Sequence, residues 1–348
     1  MVGTGFGARV HVPALRAAGF EVVALAGRDR ERTARRAERL AVPNACASLA
    51  EAFALPGVDA VTIAAPPGAH ATLAIEACDA GRHVICEKPF AIDTAEATAM
   101  VAAADRAGVT ALVGHEFRWA PDRALAARVI ADGLIGDPRL ATFVQYVPLV
   151  ADPETRVPDW WFDAARGGGW LGASGSHLVD QVRTSLGEIV SVSAALPTVA
   201  RRSGAEDSFA VRMSVRGGVE VMLQQTAASW TPNVVGVTVI AGSDGTLELA
   251  VDGVWLSNRS GRRQLSVPED LALPEAPGAT DDPRHRYTHL ELGPYTRLCE
   301  ALRAGAEGRP YEGRVPLPTF ADGLAGTRVI DAIRASVAAG GAVQAVSA

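Results

Sequence analysis

The chain contains almost no lysine. Of its 348 residues 33 are Lys or Arg, and Lys88 is the single lysine, so all the others are arginine. This bias is typical of GC-rich coding. A lysine that persists in such a background, between Glu87 and Pro89, predicts a chemical role that arginine does not fill, because arginine does not release its proton.

A clustered basic face is also missing. The net charge is −6, and the most basic stretch, 28–40, is interleaved with Glu31 and Glu38 as on a solvated helix face. A nucleic-acid groove requires Lys and Arg gathered on one side of the protein. We therefore expect no nucleic-acid partner.

Paired cysteines, long apolar runs and a leader-like start are absent as well. The four cysteines have no paired spacing, which predicts reduced thiols. No stretch approaches about eighteen apolar residues, and the first residues lack the basic-then-apolar layout of a signal peptide. We expect a soluble, cytoplasmic protein with no membrane partner, long enough for two domains.

What is present begins with a glycine-rich turn at 3–8, which fits G-x-G-x-x-G/A. In dinucleotide-binding folds the glycines make the turn and let the backbone approach the pyrophosphate, and the third small residue lets a helix pack closely. Buried strands at 21–26 and 58–65, alternating with helical segments, predict a parallel, doubly wound sheet. The residues expected to bind the cofactor here are Gly3, Gly5, Phe6 and Ala8.

The strand that should precede this turn is nearly missing, since only Met1 and Val2 stand before Gly3. That strand is normally central in the sheet. We expect either that it starts further upstream or that it is a stub. Folding or cofactor binding should be weakened if nothing replaces it.

The residues that follow the strand at 21–26 predict which cofactor is used. NAD-specific sites place Asp or Glu there to accept from the ribose 2′-OH. This chain has Gly27 and then Arg28, which fits a 2′-phosphate, so NADP is favoured over NAD. The alternative is that Arg28 is an ordinary surface residue.

Three further segments stand at predicted strand ends, where such sheets bind ligands: APPGAH (65–70), HVICEKP (83–89) and VTALVGHEFRW (109–119). The prolines of the first would stiffen a loop beside the cofactor. His70 and His115 either act in the chemistry or only fill their loops. The residues predicted to contact the cofactor are Pro66, His70, Glu87 and Lys88.

The order G-x-G-x-x-A, P-P-x-x-H, E-K-P and G-H-x-F-R resembles the Gfo/Idh/MocA oxidoreductases, relatives of glucose-fructose oxidoreductase and inositol dehydrogenase. The Gly-rich segment 165–183, which leads to a His-x-x-Asp helix, and the last helix, 318–336, resemble the same family. Together the matches run from residue 2 to about 336. The resemblance also implies a cis peptide bond before Pro89.

The predicted fold is α/β, with an N-terminal Rossmann domain (doubly wound parallel sheet) at 1–118 and a C-terminal α/β domain with an open, mostly antiparallel sheet at 119–348. The second domain should bind the substrate, and we expect the C-terminal helix to pack back on the first. The resemblance implies a homodimer or homotetramer through one sheet face. β-branched runs that support this sheet lie at 139–147, 189–196, 207–228 and 234–251, and the acidic, Pro-rich segment 262–287 resembles a surface arm or lid.

Hydride transfer at a nicotinamide leaves one proton for the protein to move. Lys88 and His177 are the predicted catalytic residues, and the resemblance places His177 near the substrate hydroxyl, with Asp180 on the same helical face. Asp180 instead serves as a helix-to-loop tether in the alternative interpretation. Many relatives carry Asp where this chain has Ala173, which leaves the usual relay incomplete and shifts proton work to Lys88.

Aromatic residues around the Gly-rich segment predict a sugar or glycoside-like substrate. The candidates for substrate binding are Asp180, Arg118, Trp161 and Trp170. Arg118 otherwise pairs with Glu116, and some of the tryptophans are expected to be core. His285 and His289 have metal-ligand spacing but no third ligand, so no metal is predicted.

These features predict an NAD(P)-dependent dehydrogenase or reductase acting on a sugar-like alcohol or ketone. Two alternatives remain open at this stage. One is a non-catalytic, cofactor-binding regulator on the same scaffold, which Ala173 and the missing strand favour. The other is an enzyme that oxidises its substrate transiently to allow elimination or glycoside cleavage, with the cofactor recycled.

Overall fold

The computed structural model describes residues 1–155, 157–200, 204–273 and 288–347. These residues form two compact units. The first contains Met1–Ala120 and Leu273–Leu324, and the second contains Pro121–Ala272 and Ala325–Ala348. The single boundary drawn after residue 118 therefore differs in one respect, since the segment 273–324 groups with the first unit. The functional roles of the two domains stay a prediction.

The strands of the described residues are numbered in chain order. They are β1 Ala24–Ala26, β2 Asn44–Cys46, β3 Ala60–Ile63, β4 His83–Cys86, β5 Ala111–Val113, β6 Pro138–Tyr146, β7 Ile189–Ala195, β8 Ser208–Val215, β9 Val219–Thr226, β10 Val235–Gly242, β11 Gly245–Ala250, β12 Gly253–Asn258, β13 Gly261–Leu265 and β14 Gln344–Ala345.

The α-helices follow the same numbering. They are α1 Phe6–Arg9, α2 His11–Ala17, α3 Arg30–Arg39, α4 Leu49–Phe53, α5 His70–Asp79, α6 Thr94–Ala107, α7 Pro121–Ala131, α8 Ser176–Leu186, α9 Thr288–Ala306 and α10 Phe320–Ala338. A π-helical turn, Leu171–Gly175, leads directly into α8.

The first unit contains the predicted parallel sheet, because β1 pairs with β2 and β3, β4 and β5 pair in sequence, all parallel. Its short strands are almost wholly apolar and buried, as strands covered on both faces must be. Helix starts agree with local sequence: Asp29, Ser48 and Asp93 each accept a backbone N–H from the first turn of α3, α4 and α6. The predicted Rossmann fold is confirmed.

Val2 forms an isolated β-bridge at the position where a first strand was expected. Val2 pairs in parallel with both Ala26 and Ile63, so it joins β1 to β3 across the centre of the sheet. Its N–H donates to the Thr62 carbonyl at 2.8 Å, and its own carbonyl accepts from Ala64 at 2.9 Å. Met1 continues the ladder through its amino group, which donates to Ala24, and burial lowers the pKa of that amine to about 6. Two residues thus occupy the central position of the sheet.

The second unit is built on one sheet in the order β13-β12-β11-β10-β6-β9-β8-β7-β14, in which β6 and β9 are the parallel pair and the other neighbours are antiparallel. The predicted open, mostly antiparallel sheet is therefore confirmed. Gly217-Gly218 lies in the turn between β8 and β9, and Ser243-Asp244 connects β10 to β11. Strands β12 and β13 were not predicted, and most of the predicted arm, 274–287, lies outside the described residues.

One face of this sheet is buried and the other is not. Along β6, Ala141 and Phe143 are buried while Leu140 is 50% exposed, as the alternation of strand side chains requires. On this outer face Met222 of β9 and Val239 of β10 lie opposite Thr142, and Val237 and Val235 lie opposite Val144 and Tyr146. Leu140 itself lies between Glu220 and Ala241. We call the following residues the outer apolar face: Leu140, Val144, Tyr146, Met222, Val235, Val237 and Val239.

Candidate functional site

The glycine-rich turn closes tightly on the end of β3. Gly3 has a φ of +100°, and a Cβ there would lie 2.3 Å from the Ala64 carbonyl oxygen, so that only glycine fits. A Cβ at Gly5 would meet nothing within 4 Å, which leaves the backbone open to a ligand. Ala8 is buried in α1, and the Phe6 side chain lies outside the described part of the structure. This arrangement fits the close approach of a cofactor pyrophosphate.

Arg28 follows β1 at the protein surface and is exposed. The nearest acid along the chain, Asp29, is engaged as the cap of α3, accepting the Arg32 N–H at 2.9 Å. A cation, Arg28, therefore stands directly after the end of β1. An anionic group on the cofactor would be favoured there.

His70 connects two of the predicted loops. Its Nδ1 lies 2.9 Å from the Pro89 carbonyl oxygen, and its Nε2 lies 2.9 Å from that of Ala65. Burial lowers the pKa of His70, although both contacts oppose this shift. The ring is nearly inaccessible and both nitrogens face main-chain oxygens, so it holds the Ala65–His70 loop against the E-K-P segment. Pro66 begins that loop and is half-buried.

The E-K-P segment follows β4 directly, at the carboxyl edge of the sheet. Lys88 is half-buried, and its peptide bond to Pro89 is cis, as the resemblance implies. Glu87 is buried, and its Oε1 lies 3.1 Å from His11 Nε2. Its Oε2 accepts the backbone N–H of Lys88 at 3.2 Å. The side chain of Glu87 therefore turns back onto the main chain of the lysine that it precedes.

Two more carboxyl groups share this neighbourhood. Burial raises the pKa of Glu116 well above its ordinary value, and the charge of Glu87 adds to the shift while that of Lys88 opposes it. Burial also raises the pKa of Glu291, on α9, to about 7, and the positive charge of Lys88 opposes this rise. Burial favours the neutral acid at Glu87 too, but the hydrogen bond and charge of His11, with Lys88, lower its pKa. Of the three, Glu87 is thus the carboxyl whose pKa lies below its ordinary value.

Arg118 and Trp119 are anchored within the first unit. The Arg118 guanidinium donates to the Pro316 carbonyl at 3.1 Å and lies 3.5 Å from the Asp322 carboxylate. Asp322 is thus an ion-pair partner of Arg118. Trp119 is buried and donates its indole N–H to Tyr311 at 3.0 Å, which makes it a core residue. Substrate binding by Arg118 stays a prediction.

In the second unit, His177 and Asp180 both lie on α8 and are 6% and 4% exposed. They are three residues apart, hence on one helical face. The preceding π-helical turn contains Ala173, where a carboxylate was expected from the resemblance. Ser174, next to it, donates to Gln225 on β9 at 2.8 Å, which ties the turn to the sheet. Such turns often mark functional sites.

The predicted aromatic residues form a chain of rings in this unit. Trp161 lies 5.9 Å from Trp160 and 5.9 Å from Trp170, measured between ring centroids. Trp170 is 8% exposed, and its indole nitrogen has no hydrogen-bond partner among the described residues. Beside it, the Leu171 N–H donates to Glu206 at 3.0 Å, and burial raises the pKa of Glu206. A buried indole donor without a partner suits a ligand hydroxyl.

His11, Tyr295 and Glu291 were not predicted from the sequence. His11 is the third residue after the glycine-rich turn, and nothing local indicates that it reaches Glu87, 76 residues away. Tyr295 and Glu291 are one turn apart on α9, more than 200 residues from the E-K-P segment. The one available signal in the sequence is a histidine close behind the fingerprint.

Other predictions concern metals, cysteines and membranes. His289 lies in the first turn of α9, whereas His285 is outside the described residues. All four cysteines are buried free thiols. Within the described ranges, no helix has the length and apolar character needed to cross a bilayer.

Residues 1–115 match a family model described as "Oxidoreductase family, NAD-binding Rossmann fold", and residues 124–248 match one for the "GFO/IDH/MocA C-terminal domain". D-apiose dehydrogenase from Paraburkholderia graminis is 30% identical over 291 residues, which cover 80% of this chain and 74% of that protein. D-xylose 1-dehydrogenase (NADP(+)) 2 from Haloferax volcanii is 35% identical over 37% of this chain and 40% of its own length. The structure of a levoglucosan dehydrogenase in complex with NADH and levoglucosan superposes with a TM-score of 0.85 at 24% identity, covering 100% of this chain and 98% of that one.

Proposed function

Because the chain belongs to the Gfo/Idh/MocA oxidoreductase family, we propose that it interconverts a sugar-like alcohol and the corresponding ketone, with Lys88 and His177 handling the proton. The nicotinamide of bound NAD(P) supplies the hydride chemistry. D-Apiose dehydrogenase and the levoglucosan dehydrogenase act, by name, on sugars. This supports a sugar-like substrate for the present protein.

The observation that carries the proposal is the position of Lys88, the single lysine, at the carboxyl end of β4. Ligands of doubly wound sheets bind at this edge. An ammonium group there polarises a substrate oxygen and can give up or take back a proton, whereas arginine stays charged. His177 is buried beside Asp180 and is the second titratable group. Trp161 and Trp170 offer ring faces to a sugar.

Screening sugars, ketones and glycosides for a change in the absorbance of reduced nicotinamide tests this function. We expect turnover with at least one sugar. Lys88→Met should lower kcat by about 100-fold or more while NADH binding, followed by fluorescence, is retained. Lys88→Arg is the matched control for charge, and it should not restore turnover. Full activity in Lys88→Met would disprove the proton role, and cofactor binding without turnover of any substrate would indicate a regulator.

We also propose that NADP is preferred. The cation Arg28 is exposed at the end of β1, and the neighbouring Asp29 is used as a helix cap. A 2′-phosphate would complement this charge. One relative, the D-xylose 1-dehydrogenase, is named as NADP(+)-dependent. The cofactor contacts proposed are those of the fingerprint, Gly3, Gly5, Phe6 and Ala8, together with Arg28 and Pro66.

A homodimer or homotetramer through the outer apolar face is the last part of the proposal. Leu140, Met222 and Val235 are 50%, 47% and 49% exposed on adjacent strands. Exposed apolar residues gathered on one sheet face often mark a protein–protein contact. A second copy of the chain is the occupant we propose. We retain the cytoplasmic location as a prediction, which the four free thiols support.

A further inference from the structure

Both carboxylate oxygens of Glu87 are already bonded within the protein. Oε1 lies 3.1 Å from His11 Nε2, and Oε2 accepts the Lys88 N–H at 3.2 Å. The residue is 5% exposed. A buried carboxylate keeps its charge when such donors are present, so these two contacts account for the orientation of Glu87 without a ligand.

His11 is itself held from its other side. It is the first residue of α2, is fully buried, and stacks on Tyr295 with ring centroids 4.2 Å apart. The Tyr295 hydroxyl lies 3.4 Å from His11 Nδ1. Because an ionised carboxylate only accepts hydrogen bonds, His11 Nε2 carries the hydrogen that Glu87 accepts. Burial, and then the charge of Glu87, raises the pKa of Tyr295 well above its ordinary value, so the phenol stays protonated.

A third segment closes the space around the carboxylate. A Cβ at Gly114, the residue after β5, would come within 2.7 Å of Glu87 Oε1. The side chain of Glu87 is therefore enclosed by the start of α2, by α9 and by the end of β5. Contacts from three chain segments leave it one orientation, directed back to the Lys88 main chain.

The other charged groups nearby are Lys88, Arg9, Glu116 and Glu291. Burial raises the pKa of both Glu116 and Glu291, whereas the contacts with His11 lower that of Glu87. Glu87 is consequently the group that keeps a negative charge beside the lysine. Its position is fixed through His11 rather than through solvent.

We propose that Glu87 is a positioning residue for Lys88 rather than a ligand of the cofactor, and that His11, held by Tyr295, fixes Glu87 in this role. The task of Lys88 rests on the proposed function; the His11–Glu87–Lys88 arrangement does not. Neither His11 nor Tyr295 is assigned a part in catalysis by contact with substrate. Their effect reaches the reaction through the main chain of Lys88.

The single lysine makes a direct test possible. Growth on ¹⁵N-lysine gives a protein, carried on a lysine-free tag, whose backbone amide spectrum contains one signal, that of Lys88. We expect His11→Leu to move this signal and to speed its hydrogen exchange at least tenfold, because Glu87 loses its anchor. His11→Gln, which keeps an N–H donor, should rescue much of the protection, and Tyr295→Phe should give a smaller change.

His83→Gln is the matched control. His83 begins the same strand, and its Nδ1 accepts the Thr110 N–H at 3.1 Å, so it also loses a histidine contact but at the opposite end of β4. It should leave the Lys88 signal in place. If the Lys88 amide is unchanged in His11→Leu and His11→Gln alike, the proposal is wrong. If His11→Leu does not fold, the Lys88 signals of His11→Gln and Tyr295→Phe test the proposal instead, since both variants keep most of the buried volume.

Cofactor affinity and kcat, measured together, distinguish a positioning role of Glu87 from direct binding of the cofactor. With Glu87→Gln we expect NADH and NADPH affinities within about threefold of the original protein and kcat lowered about tenfold or more. A tenfold loss of cofactor affinity with kcat unchanged at saturation would instead make Glu87 a cofactor ligand. If no substrate is ever turned over, the proposed function fails, while the Lys88 amide still reports whether His11 and Glu87 hold the lysine.

Discussion

Gly114 lies directly against the carboxylate of Glu87, and a Cβ at this position would stand 2.7 Å from Oε1 and 2.9 Å from Cδ. Glycine is required here by the packing of a side chain from another strand, since its φ is not positive. Because Gly114 has no side chain, the Glu87 carboxylate has room to lie against it.

Gly114→Ala should therefore displace Glu87 and destabilise the protein. Overpacking a filled site costs about 1–3 kcal/mol, and the displaced carboxylate also loses its bond from His11. Thermal unfolding measures the change. Gly326→Ala is the control, because a Cβ in the middle of α10 would meet nothing within 4 Å. It should be neutral or slightly stabilising, as alanine favours helices; equal effects of the two variants would contradict the prediction.

Stability should depend on pH through Glu291. Its pKa rises from 4.5 to about 7 on folding, so the native state holds a proton that the unfolded state has lost between these values. Stability therefore falls as pH rises through this window, by about 3 kcal/mol in all, and levels off above it. Denaturant unfolding at several pH values measures the slope. Glu291→Gln should flatten it, Glu291→Asp should keep it, and an unchanged slope in the glutamine variant would refute the assignment.

Arg28→Glu should shift cofactor preference from NADP toward NAD. The substitution removes a cation that can pair with a 2′-phosphate and installs an acid that can accept from a ribose hydroxyl. We expect the ratio of NADPH to NADH affinity to fall about tenfold or more, measured by fluorescence titration. Arg35→Glu makes the same charge change on the exposed side of α3, where Arg35 faces Glu31, and should have little effect. A preference for NADH in the original protein would overturn the prediction.

The outer apolar face is expected to bind a second copy of the chain. Val237→Asp places a charge in its centre and should convert a dimer or tetramer to smaller species, because an unpaired charge is costly inside an interface. Light scattering after gel filtration measures the mass. Val251→Asp is the control, since Val251 is 89% exposed in the turn after β11 and lies off this face. A monomeric original protein, or equal masses for both variants, would argue against this surface.

Several features of the candidate site were predictable because they are local. The glycine-rich turn, the segment after β1 and the E-K-P motif each need only a strand pattern and a few neighbouring residues. The strand alternation also predicted the sheet of the second unit. Arg118 shows the limit of such reasoning, because Asp322, which lies 3.5 Å from it, is far along the chain and could not be predicted as its partner.

The sequence by itself determined the Rossmann fingerprint, the alternating strands and helices of a parallel sheet and the lone lysine at a strand end, since periodicity and turn chemistry act over a few residues. Tertiary structure alone decided that Val2 lies between Ala26 and Ile63 and what surrounds Glu87. His11 is 76 residues from Glu87 and 284 from Tyr295, so only folding brings the three together. These contacts then lower the pKa of Glu87 against the effect of burial, because the pKa of a carboxyl depends on the solvent and the donors around it rather than on its place in the chain.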